Sequence, residues 1–209
     1  MRPVAAVILA GGRGERLGGA IKSELRVGGE RLLDRALAVL AQCSPILVAH
    51  GRLDPGLLAL PPGVEPIADL QGDYAGPLAG VAAAIDALKR WDKPPAHLVA
   101  VAVDSPLLPA DYVSRLLEGI GEADAAIASY GGQIYPTNSI WRVAAFADLT
   151  DRIVAGTAPH SLKRLAFEVS GREIAWPLSA DGDPFANVNT LEDLAELELR
   201  AARQNPSRR

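Results

Sequence analysis

The 209-residue sequence predicts an α/β fold with a doubly wound, mostly parallel sheet. Three observations lead there. Short β-branched or aliphatic runs alternate with longer Ala/Leu-rich segments of helical period, the pattern of a parallel sheet covered on both faces by helices. The first of those runs, Val4 to Leu9, empties directly into a glycine-rich, basic loop. Hydrophobic residues make up 49% of the chain, enough to build a sizeable core at this length.

The expected strands are Val4 to Leu9, Ile46 to His50, Val64 to Ala68, Leu98 to Val103 and Ala125 to Ser129. A helix is expected over Arg31 to Gln42, where Leu32, Leu33, Ala36, Leu37 and Leu40 share a side. A second covers Gly76 to Trp91 with Pro77 in its first turn, and a third covers Pro109 to Leu117 with Asp111 near the positive end of its dipole. The second half is less regular. It reads as a strand over Gln133 to Trp141, helical stretches near Arg142 to Ala155 and Ser161 to Glu168, a short strand over Arg172 to Trp176, and a last helix from Thr190. No repeat or linker interrupts this order, so one domain over residues 1–203 is expected, with 204–209 as a disordered tail.

A formal net charge of −4 argues against a surface built mainly for nucleic acid, so any polyanion has to be met by a local basic pocket. The single cysteine, Cys43, can form no internal disulfide, and no Cys/His cluster has zinc-site spacing. A reducing, cytoplasmic compartment is therefore expected. The Val4 to Leu9 run is too short for a secretory signal, and no stretch reaches the roughly 20 apolar residues that span a bilayer, so no membrane association is expected.

The loop after the first strand reads Ala10-Gly11-Gly12-Arg13-Gly14-Glu15-Arg16-Leu17-Gly18-Gly19, with Lys22 three residues on. In open α/β sheets ligands bind outside the carboxyl ends of strands. Glycines let backbone amides approach phosphate oxygens, and Arg13, Arg16 and Lys22 can offset their charge, so the loop reads as a polyphosphate cradle. It is neither a Walker loop, because Lys22-Ser23 follows Ile21 rather than glycine, nor a dinucleotide fingerprint, because Leu17 stands where the third glycine belongs. The alternative is a flexible connection whose basic residues face solvent.

With these motifs the sequence resembles the molybdenum cofactor guanylyltransferases, within a larger nucleotidyltransferase group. The resemblance rests on Leu9-Ala10-Gly11-Gly12, Arg16-Leu17-Gly18-Gly19 and Lys22; on Asp73-Tyr74-Ala75-Gly76-Pro77-Leu78-Ala79-Gly80; on Asp104-Ser105-Pro106 with Pro109; on Pro136-Thr137; and on Asn187-Val188-Asn189-Thr190. A related cytidylyltransferase branch typically has alanine where Gly12 stands and lacks the Gly76 to Gly80 segment, so the resemblance favours guanine. In one departure, Ile21 stands where the family usually has aspartate before the loop lysine, which bears on how Lys22 is anchored.

The resemblance implies a Rossmann-like nucleotidyltransferase fold, GTP and molybdopterin as substrates, and transient contact with molybdenum-cofactor proteins. It implies nucleotide binding by Leu9, Ala10, Gly11, Gly12, Lys22, Asp69, Gly80 and Asp104. Asp104 follows an almost wholly apolar run, so it leaves the sheet at a strand end, where a carboxylate suits Mg2+ with phosphate and water as its other ligands. An aspartate at such a place also serves as an Asx-turn or as a cap for the Pro109 helix. Asp73 divides evenly between function and turn chemistry. Asn187 and Asn189, two apart, share a side if extended. By resemblance they are hydrogen-bond donors on the cofactor or metal side, and otherwise turn or capping residues. Pro136 lies by resemblance near the pterin substrate, and otherwise marks a bulged or edge strand. His50, His97 and His160 are scattered, and Trp91, Trp141 and Trp176 are expected to pack.

These readings converge on attack by a molybdopterin phosphate on the α-phosphorus of GTP with pyrophosphate leaving, and Arg16, Lys22 and Asp104 as the catalytic set. The competing readings are a cytidylyl- or sugar-phosphate nucleotidylyltransferase and a non-catalytic GTP- or cofactor-binding protein.

Overall fold

The computed structural model of the protein describes residues 3–70 and 76–204, the side chains of Arg13 and Glu15 excepted. Seven strands form the main sheet: β1 (Val4–Leu9), β2 (Ile46–Ala49), β3 (Val64–Ile67), β4 (His97–Ala102), β5 (Ala125–Tyr130), β6 (Gln133–Arg142) and β7 (Arg172–Trp176). Their order is β7-β5-β6-β4-β1-β2-β3, the doubly wound, mostly parallel arrangement expected. β6 alone of the seven runs antiparallel to its neighbours, β4 and β5. It follows β5 through Gly131-Gly132, both at positive φ, a two-residue turn that matches strand twist and needs glycine.

Among the described residues six α-helices cover the sheet: α1 (Leu32–Val39), α2 (Pro77–Lys89), α3 (Tyr112–Ile120), α4 (Leu149–Val154), α5 (Leu162–Glu168) and α6 (Leu191–Gln204). Strand residues alternate between two cores. Ala6, Ile8, Val99 and Val101 pack with α1, α3 and α6, while Ala5, Val7, Leu98 and Ala100 pack with α2, α4 and α5. At roughly 25 cal/mol per Å² of apolar surface removed from water, these two layers dominate the drive to fold.

The helices depart from the expected bounds where local chemistry outweighs period. The first stops at Val39 instead of Gln42. The third starts at Tyr112, because Pro109 sits in a preceding turn, and it runs on to Ile120. The Arg142 to Ala155 stretch divides into a 3-10 turn at Val143–Phe146 and α4. Gln204, assigned to a tail by sequence, is the last residue of α6, and residues 205–209 lie outside the described residues. Trp141 and Trp176 pack as expected, but Trp91 is 46% exposed, since it follows the end of α2 rather than sitting within it. Among the described residues no helix is long and apolar enough to cross a membrane.

Candidate functional site

The sheet places the carboxyl ends of β1 and β4 side by side: the chain leaves β1 toward β2 on one side and crosses from β3 back to β4 on the other. Such a switch point opens a crevice outside the strand ends. The glycine-rich loop leaves β1 there, and Asp104 follows β4 by two residues.

The loop is built, not slack. Arg13–Gly14 pairs antiparallel with Ala20–Ile21, a 3-10 turn over Glu15–Leu17 forms the tip, and Gly18 and Gly19 adopt positive φ. A second 3-10 turn, Lys22–Glu24, and a second small hairpin, Arg26–Val27 with Glu30–Arg31, follow before α1. Neither hairpin was expected, because two-residue strands leave no periodic signal. Two backbone approaches require glycine. A Cβ on Gly11 would stand 2.9 Å from Gly51 Cα, and one on Gly14 would stand 2.4 Å from the Ala20 carbonyl oxygen. Gly12 has no such demand: a Cβ there would meet Lys22 Cδ at 3.8 Å, an ordinary contact.

Leu9, Gly11, Gly12, Asp69 and Gly80 line, with Ala49, Gly76 and Pro77, a cavity of about 130 Å³. Gly80 is needed for it to exist in this form, since a Cβ there would come within 2.8 Å of Leu9 Cδ2 and 3.0 Å of Ala49 Cβ. Asp69 Oδ1 accepts the Gly51 N–H at 3.2 Å. Burial pushes the Asp69 carboxyl above its usual range, against the opposing pull of that N–H and of the nearby His50. Ala10 is fully buried and its N–H bonds to the Ala49 carbonyl, so it anchors the loop from inside the core and does not line the cavity. Asp73 lies outside the described residues, as does the side chain of Arg13.

Beyond Gly12 three residues far apart in sequence meet. Lys22 Nζ donates to Asp104 Oδ2 at 2.6 Å and to Asn189 Oδ1 at 2.9 Å. The Lys22 and Asp104 side chains are 11% and 17% exposed, so this ion pair is only weakly screened by water. Lys22 is thus anchored across the crevice, with Ile21 in place of an adjacent carboxylate. Asp104 does not cap α3, which begins eight residues later. Asn187 and Asn189 do share a side: Val188 between them turns into the core, and its N–H bonds to the Asp104 carbonyl at 2.9 Å. Helix capping falls instead to Thr190 and Asp193, whose side chains exchange hydrogen bonds with each other's backbone N–H groups. The N–H of Asn189, together with the N–H and the side chain of Thr190, holds the Asp193 carboxyl below its usual range.

Two expected residues stand apart from this cluster. Arg16 is exposed on the loop tip and enters none of these contacts. Pro136 lies in a bulge of β6, where a missing N–H breaks no ladder bond. Asn138, unforeseen from sequence, and Ser105, which sequence marked only as part of the Asp104-Ser105-Pro106 segment, complete the site's polar framework: Asn138 Nδ2 donates to Ser105 Oγ, and Ser105 Oγ donates to Asn187 Oδ1 at 2.7 Å. Asn138 stands between Thr137 and Ser139 in the strand sequence, so no local contrast marked it. A wider cavity of about 380 Å³ sits beside the start of α3, between Leu107–Asp111 and Arg200 and Gln204 of α6, and no expected site residue lines it.

Among the described residues no group of three or more His, Cys, Asp or Glu could hold a metal. A single carboxylate flanked by amides suits a hard cation that arrives with phosphate and water ligands, and it does not suit a resident structural metal.

The chain matches the model of the MobA-like NTP transferase domain over residues 6–176. It is 36% identical over 204 residues to a molybdenum cofactor guanylyltransferase of Nitrobacter hamburgensis, covering 96% of this chain and 95% of that protein. The chain belongs to the molybdenum cofactor guanylyltransferase family. Another member, from Rhodobacter capsulatus, is 37% identical, with 97% of this chain and 99% of the relative covered. The solved structure of molybdopterin-guanine dinucleotide biosynthesis protein A from Archaeoglobus fulgidus superposes with a TM-score of 0.70 at 22% identity, over 96% of this chain and all of that one, and shares its fold. Guanylyltransferase family membership makes the chain a nucleotidyltransferase.

Proposed function

We propose that this protein transfers GMP from GTP to the terminal phosphate of molybdopterin, in a reducing, cytoplasmic setting, releasing pyrophosphate and using Mg2+. The observation that carries the reading is the convergence of Lys22, Asp104 and Asn189 beside the glycine-rich loop at the switch point of the sheet. The relatives named guanylyltransferases support GTP and the molybdenum cofactor as substrates.

In this reading the cavity between Gly12, Asp69 and Gly80 takes the nucleoside, and the loop amides face the triphosphate. Asp104 would hold the metal, which would supply positive charge to the phosphate oxygens. Lys22 then exchanges its bond with Asp104 for the phosphates and offsets charge moving onto the leaving pyrophosphate. The acceptor phosphate is already anionic, so the protein's work is alignment and charge stabilisation rather than removal of a proton. Arg16, exposed on the loop tip, is in this reading the loop's second cation for the triphosphate. Pro136 belongs to the acceptor side, and residues 1–203 act as one catalytic domain.

The test is pyrophosphate release with Mg2+ and molybdopterin, comparing GTP with CTP, ATP and UTP and omitting the acceptor as control. Acceptor-dependent release confined to GTP is expected, with Asp104→Ala lowering kcat by on the order of 10² to 10³ in a chain that still folds but melts below the parent, because Lys22 loses its partner. Preference for CTP would overturn the base assignment, and no release with any nucleotide would turn the reading to a binding protein.

A further inference from the structure

Strand β6 departs from its register at one point. Tyr135 faces Ala128 and Ser139 faces Ile127, so β6 advances four residues while β5 advances one. The three extra residues, Pro136, Thr137 and Asn138, form a bulge. Bulges re-aim side chains, and this one buries Asn138 completely.

The Asn138 carboxamide bridges the turn that carries Asp104. Its Oδ1 accepts the N–H of Ala102, two residues before Asp104, at 3.3 Å. Its Nδ2 donates to Oγ of Ser105, the next residue after Asp104, at 3.2 Å. A buried amide in an apolar sheet is costly unless bonded, and this one is bonded on both ends.

The chain of donors has a direction. Ser105 has one hydroxyl proton. Because Oγ accepts from Asn138, that proton is directed to Asn187 Oδ1 at 2.7 Å. The carbonyl end of the Asn187 amide is therefore held inward, and its NH2 end is the one left to a ligand. An inward oxygen makes Asn187 a donor to an anion rather than a ligand to a cation.

We propose that Asn138 is a positioning residue which, through Ser105, fixes the Asn187 carboxamide with its NH2 group presented to the acceptor's phosphate. The inference rests on the transferase reading above. It also gives the β6 bulge a role, which is to set the polarity of a hydrogen bond two residues from the Lys22–Asn189 contact.

Asn138→Asp tests it with little change of shape. A carboxylate still accepts from Ala102, but it cannot donate to Ser105. It captures the Ser105 proton instead, and Asn187 loses the partner that fixes it. The expected result in the full-length protein is a KM for molybdopterin raised about tenfold, the worth of one hydrogen bond to a charged group, with GTP affinity unchanged. The double variant Asn138→Asp/Asn187→Ala should be no worse than Asn187→Ala alone, because the two residues act in series. Losses that add, or an unchanged KM for the acceptor, would overturn the proposal.

A second readout needs no turnover. The sequence holds four asparagines, so protein labelled with 15N in asparagine side chains gives four NH2 pairs at most. The Asn187 pair should shift in Asn138→Asp and in Ser105→Ala, and an Asn187 pair unmoved in either folded variant would refute the linkage. Ser105→Ala serves if Asn138→Asp fails to fold. Absence of acceptor-dependent pyrophosphate release by the parent chain would instead count against the transferase reading, and the resonances would still decide on Asn138.

Discussion

Asp69 illustrates how a binding residue weighs on the unliganded protein. Its carboxyl is half-buried, and burial raises its pKa although the Gly51 N–H and His50 favour the charged form. A group whose folded pKa is raised contributes stability that is fully present below the unfolded value, about 3.9 for aspartate, and is lost as pH rises through the folded value. At neutral pH the charged Asp69 is therefore a net cost. Asp69→Asn keeps an oxygen for Gly51 and removes the charge. It is expected to raise Tm at neutral pH, with the advantage shrinking as pH falls through the raised folded pKa and gone below the ordinary carboxylate range. Thermal melts across that range check it, and a pH-independent difference would show that charge is not the cause. Lys22, Asp104, Asn187 and Asn189 could be picked out from the sequence because a strand end, a glycine loop and a polar pair before a helix each leave a local mark. Their mutual contacts could not, since Lys22 and Asn189 are 167 positions apart. Asn138 and Gly51 gave still less, because what they do is defined by partners from other strands.

At the scale of elements, β1, β2, β4 and β5 were legible because buried strands leave nearly uninterrupted aliphatic runs, whereas β3, Val64-Glu65-Pro66-Ile67, is an exposed edge strand that tolerates a charge and a proline. The small hairpins before α1 were not legible, and the register shift in β6 was marked only by Pro136. Helix α2 shows where propensity and packing conflict. It buries almost its whole length against the sheet, and Gly80 in its second turn touches the ends of β1 and β2. Replacing glycine by alanine inside a helix gains about 1 kcal/mol from propensity. Here the new methyl group would stand 3.0 Å from Ala49 Cβ, which only backbone movement can relieve, and 2.8 Å from Leu9 Cδ2, which a rotamer change can. Overpacking costs roughly 1–3 kcal/mol, so Gly80→Ala is expected to be destabilising by about 1 kcal/mol net, a fall in Tm of about 2–4 °C. Because Leu9, Ala49 and Gly80 all line the 130 Å³ cavity, GTP affinity should fall with it. A variant more stable than the parent would mean that the α2 packing is looser than these distances indicate.

The whole molecule folds around two cores that share one sheet, and Cys43 reports on one of them. It is the single thiol of the chain, 6% exposed, and packed in the core layer that also holds Ala6 from the first strand and Ala201 from the last helix. Burial pushes its pKa up to about 11. Only the thiolate is nucleophilic, so at pH 8 roughly one thiol in a thousand is reactive even before access is considered. Alkylation in native conditions is therefore expected to wait for opening of this layer. Since the layer joins residues from both ends of the chain, that opening should be global, and the rate should rise with denaturant along the same slope as unfolding followed by tryptophan fluorescence. Binding stabilises the folded state by RT ln(1 + [L]/Kd), so GTP at about 100 times its Kd should slow labelling about a hundredfold. Labelling that ignores both denaturant and GTP would show that the segment after α1 opens by itself, with the cavity and the Lys22–Asp104 contact still intact.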